Sequence, residues 1–142
     1  MKSWQRFVAG LIAVPAIMFG LRVQSAELND VTKSKLGEFS MELTECYAYY
    51  GMLSHCAEGN SPDVVAKSNA AAQTLMPMIY QTGKMAGLID EALLGRIQLA
   101  LDSIKSDMKN DCANISAIYR KYGQSCKALT EHPDAQLKML LQ

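Results

Sequence analysis

Four cysteines, Cys46, Cys56, Cys112 and Cys126, constrain this chain more than any other feature. Cys46 and Cys56 lie ten residues apart in a stretch where Leu36, Phe39, Leu43, Tyr47, Tyr50, Leu53 and Ala57 recur at the spacing of an amphipathic helix. Ten helical residues rise about 15 Å, whereas a disulfide holds its Cα atoms within about 7 Å. These two cysteines therefore cannot pair with each other while the helix is intact. Each needs a partner from the distant pair, Cys112 and Cys126, so the fold must bring the end of the chain back along its first helix.

The first residues say where such bonds would form. Lys2 and Arg6 precede an almost uncharged apolar run from Phe7 to Leu21, and the small residues Ser25 and Ala26 follow, which is the pattern of a secretory leader. Pro15 and Gly20 interrupt the run and Arg22 closes it, leaving it short of the roughly 20 apolar residues of a membrane span. The expectation is a cleaved signal peptide, 1–25, with the 25/26 bond favoured over 26/27, and a single domain over 26–142 with no stable membrane span. An oxidising compartment, periplasmic or extracellular, then favours two disulfides.

Without Lys2, Arg6 and Arg22 the chain keeps 11 basic residues against 14 acidic ones, a formal charge of −3. That balance argues against nucleic acid as a partner and supplies no polybasic surface for anionic lipid.

The apolar spacing predicts an all-α domain of three long helices and a short C-terminal helical segment, stapled by two disulfides. The first helix begins after Asp30, read as its N-cap, and ends near Ala57. Gly59 and Asn60 stop it, and Ser61-Pro62-Asp63 restarts the chain with a cap, a proline at the first helical position and an acid near the positive helix end. The second helix carries a stripe of small residues, and Pro77 predicts a kink. The third runs from Asp90 along Leu93, Ile97, Leu101, Ile104, Met108, Cys112, Ile115, Tyr119 and Tyr122 to Gly123. A dip in helix preference at Asn110-Asp111 lies within it, and the unbroken seam favours one continuous helix.

Three helices running up, down and up make the first and third parallel. This favours pairing Cys46 with Cys112 and Cys56 with Cys126. Counting residues from the loop at Gly59 instead sets Cys112 beside Cys56, so Cys46 with Cys126 and Cys56 with Cys112 is the alternative. The C-x9-C spacing at Cys46 and Cys56 resembles one half of the coiled-coil-helix-coiled-coil-helix proteins, whose two helices are stapled by nested disulfides. The second pair departs from that pattern, with C-x13-C spacing and 55 residues between Cys56 and Cys112, so the likeness extends to one motif and assigns no family.

Signs of catalysis are few. His55 and His132 are the two histidines, neither beside a recognisable nucleophile motif, and bonded cysteines are not nucleophiles. His55 with Met52, Met76 and Met78 offers soft donors, which suit Cu(I), but methionines on helix seams are usually core filler. Glu38, Glu42 and Glu45 share one side of the first helix without the Glu-x-x-His of di-metal bundles, and read as a solvated acidic face. Tyr47, Tyr49 and Tyr50 lie between the first two cysteines, Tyr119 and Tyr122 between the second two, and together predict an aromatic interaction surface at the stapled end. The expectation is a non-enzymatic binding protein without cofactor, taking an unidentified protein or small-molecule partner through the tyrosines and the acidic first helix. The alternative is a periplasmic carrier of a small ligand or soft metal ion.

Overall fold

The computed structural model describes residues 28–142. The leader, its cleavage position and the charge it removes lie outside the described residues. Five α-helices follow in order: α1 (Asp30–Ala57), α2 (Pro62–Met85), α3 (Asp90–Asp107), α4 (Ile115–Glu131) and α5 (Pro133–Leu141), with a 3-10 turn at Cys112–Asn114 before α4. There is no strand among the described residues.

Helix ends follow local chemistry, shifted slightly from the expected positions. Asn29, one residue before the expected Asp30, caps α1 by accepting from the Thr32 N–H at 2.8 Å. Ser61 precedes Pro62 at the start of α2 through its backbone carbonyl, which accepts from Val64 and Val65. Gly59 and Gly87 take the left-handed conformation that ends α1 and α2. Pro77 does not interrupt α2, which remains helical on both sides of it. Pro77 and Gln73, the residue four earlier whose carbonyl loses its helical donor, are both exposed.

α1 is the axis of the bundle. Ser40 donates from Oγ to the Ile79 carbonyl at 3.2 Å and Gly37 lies against Ala86, so α2 runs antiparallel to α1. Arg96 donates to the Gly37 carbonyl at 3.0 Å near one end of α3, while Met108 shares a cavity with Met52 at the other, so α3 runs parallel to α1. α4 then descends, and α5 returns to the starting end, where Pro133 and Leu137 face Leu36, Phe39, Met78 and Met85. Phe39, Leu43, Leu75, Ile79, Leu93, Ile104, Met108, Ile118 and Leu129 form one buried core shared by α1 to α4.

The expected third helix divides in two, and this corrects the favoured disulfide pairing. Lys109 (φ 54°) and Asn110 (φ 57°) are both left-handed, and the Asn110 N–H reaches the Lys105 carbonyl at 2.8 Å, closing α3. Asp111 restarts the chain by accepting from the Ala113 N–H at 2.9 Å, and Asn114 ties the turn down by donating to the Met108 carbonyl at 3.0 Å. With the chain reversed, Cys112 meets Cys56 and Cys126 meets Cys46, with Cα separations of 5.4 and 5.1 Å. The observed bonds are thus nested, Cys46–Cys126 and Cys56–Cys112. The apolar seam is continuous because both helices face the same core, which periodicity alone cannot distinguish from one helix.

Candidate functional site

The tyrosines divide between core and surface. Tyr49 and Tyr122 are buried on facing helices, with ring centroids 6.2 Å apart, and the Tyr50 ring stands 5.0 Å from that of Tyr49. Burial, with Tyr50 and Tyr119 nearby, pushes the Tyr49 phenol up to about 12. Gly123 makes room for this ring, since a Cβ there would lie 3.2 Å from the Tyr49 hydroxyl. The Tyr122 hydroxyl and the Lys121 ammonium both donate to Asp107 Oδ2, each at 2.8 Å. These bonds hold the Asp107 carboxyl below its usual range, and the same bond raises Lys121. Tyr49 and Tyr122 therefore cannot belong to the expected surface, because the descent of α4 along α1 seals them inside. Tyr119 is 65% exposed, while Tyr47 and Tyr50 are half-buried. Tyr50 reaches the Thr130 hydroxyl at 3.3 Å and so helps fasten α4 to α1.

A different surface stands out between α1 and α3. Met41 and Leu99 line one groove there with Thr44, Glu45, Arg96 and Ala100, and are 50% and 70% exposed. Met41 and Arg96 also line the adjoining groove, of about 390 Å³, with Asp30, Gly37, Glu38 and Leu88. Helical spacing sets Glu38, Met41, Glu42 and Glu45 on one stripe of α1. Their charges act on one another: partial burial, then Glu45, then Glu38, raises the Glu42 carboxyl above its ordinary value. Glu38, Glu42 and Glu45 are all exposed, as expected of a solvated acidic face. This face borders grooves of mixed lining, where Lys33 and Arg96 stand with Met41, Leu88 and Leu99, and Arg96 is tied into the wall through the Gly37 carbonyl.

At the opposite end, Met52, His55, Lys105, Met108, Asn110, Asp111 and Cys112 line a half-open cavity of about 140 Å³ beside the Cys56–Cys112 bond. Met52 and Met108 are buried, whereas the His55 side chain is largely exposed and its Nδ1 lies 3.8 Å from the Glu58 carboxylate. Met78 is not part of this cluster, since it lines the groove near Leu36 and Leu137 at the starting end, and Met76 is absent from the cavity lining. Among the described residues, no group of three or more His, Cys, Asp or Glu side chains is placed to hold a metal ion. No helix among them is long and apolar enough to cross a membrane.

Sequence reasoning missed Met41, Leu99 and Met108 as site residues. The available signal was apolar side chains off the seam: Leu99 lies among the polar residues of its helix and Met41 among glutamates. Met108 was legible only as core. The chain matches no family model, no curated protein and no solved structure.

Proposed function

We propose that this chain is an exported, non-enzymatic interaction protein that receives a basic amphipathic segment of a partner protein in the groove between α1 and α3. The observation that carries this reading is the exposed pair Met41 and Leu99 beside the stripe Glu38, Glu42 and Glu45. Large apolar side chains left in water beside like charges are costly to the free protein. A helix with one apolar stripe and flanking Lys or Arg offsets both costs, by covering Met41 and Leu99 and by setting positive charge beside Glu38, Glu42 and Glu45. Export is supported by the leader pattern and by two disulfides, which persist in oxidising compartments.

A photo-crosslinking residue at position 99, compared with one at the exposed Gln73 of α2, tests the reading in the native host. The expected result is a crosslink from position 99 alone, to a peptide with an apolar stripe flanked by Lys or Arg, lost at high salt and in Glu42→Lys. Equal crosslinking from both positions, or capture insensitive to salt and to Glu42→Lys, overturns it.

A further inference from the structure

The cavity beside Cys56–Cys112 gathers donors that the groove reading does not use. Met52 and His55 are one helical turn apart on α1, so their side chains leave the same face. Met108, the residue that closes α3, lines the same cavity from the other helix. The two thioethers are buried and the imidazole is exposed, so the set is graded from interior to water. We propose that this cavity binds one soft monovalent metal ion, Cu(I) by its chemistry, through Sδ of Met52, Sδ of Met108 and a ring nitrogen of His55.

Three physical points favour that ion. Thioether and imidazole ligands select Cu(I) over hard or borderline cations, and the carboxylate and thiolate donors that would hold zinc or calcium are not assembled here. Neutral thioethers wait in an apolar setting without the desolvation cost of a carboxylate. The third point is the outer partner of the histidine. Histidines that ligate metals typically give their other ring nitrogen to a carboxylate, and the Glu58 carboxylate stands 3.8 Å from Nδ1 of His55, an ion-pair distance from which it can become that partner once the metal is bound. Cys112 is bonded and forms a wall rather than a ligand. Lys105 and Asp111 also line the cavity, one charge of each sign.

The test uses the disulfide-intact protein and Ag(I), a probe that needs no reductant, followed by Cu(I) in competition with bicinchoninate. With methionine methyl groups labelled for NMR, one equivalent of Ag(I) should shift the Met52 and Met108 signals and leave the exposed Met41 and Met139 in place. The protein should also withdraw one Cu(I) per chain from bicinchoninate. His55→Phe, at an exposed position, should weaken binding at least tenfold, and Met52→Leu with Met108→Leu, a volume-conserving pair, should abolish it. Met76→Leu should bind as the wild type does. Failure to compete with bicinchoninate, or Ag(I) shifts spread over all methionines, overturns the proposal.

Discussion

Cys126 stands 5.1 Å from Cys46, Cα to Cα, although 80 positions separate them in the chain. This bond is buried at both sulfurs, whereas Cys56 is half-buried and Cys112 exposed at the other bond. Loops of 80 and 56 residues give similar chain-entropy contributions, about 4 kcal/mol each. What separates the two is the hole left inside. Replacing Cys46 and Cys126 together by alanine should therefore cost more than replacing Cys56 and Cys112, with the difference read as a lower urea midpoint.

The glycines of α1 and α2 should respond oppositely to alanine. A Cβ at Gly83 would drive into the Leu93 side chain and lie 3.2 Å from Ser40 Oγ, so Gly83→Ala should destabilise by about 1–3 kcal/mol despite the better helix former. Gly51 has nothing within 4 Å of that position, and Gly51→Ala should stabilise by up to about 1 kcal/mol. Thermal melts of the two variants check the pair.

Asp107 should make stability acid-sensitive. Because Lys121 and Tyr122 lower its folded pKa, the folded state holds fewer protons than the unfolded chain in the window just below the unfolded value. Its contribution is thus present above about pH 4 and lost as pH falls through the lowered folded pKa. Both partners of the ion pair are partly solvated, so Asp107→Asn should cost about 1 kcal/mol at pH 7, and the gap to wild type should close near pH 2 in urea titrations.

Tyr49 should act at the alkaline end. Its folded pKa is raised to about 12, so the native state keeps a proton that the unfolded chain releases near pH 10. Stability should fall between those values. Tyr49→Phe should flatten that fall in denaturation curves measured from pH 9 to 12, and should remove the latest-ionising phenol from the absorbance titration.

Periodicity exposed the helical class and the first two helices, because single amphipathic stripes and Gly or Pro punctuation are local properties. It could not expose the reversal at Lys109 and Asn110. Two left-handed residues leave no trace in an apolar seam when the helices on either side pack on one core, and the polar Asn110-Asp111 pair was the only local sign. Everything downstream of that turn followed it: the pairing of the cysteines, the burial of Tyr49 and Tyr122, and the entry of Met108 into a cavity with His55. The acidic stripe was legible from spacing. The apolar floor it borders was not, since Leu99 meets Met41 only through the packing of α3 on α1.

Disulfide mapping of the unreduced protein tests the reversal most directly. Cyanogen bromide cleavage after Met52 in acid, then trypsin at Arg120 and Lys121, places the four cysteines on separate peptides. Linked peptides joining Cys46 to Cys126 and Cys56 to Cys112 are expected. Peptides joining Cys46 to Cys112 and Cys56 to Cys126 would contradict the reversal, and would mean that α3 and α4 form one continuous helix parallel to α1.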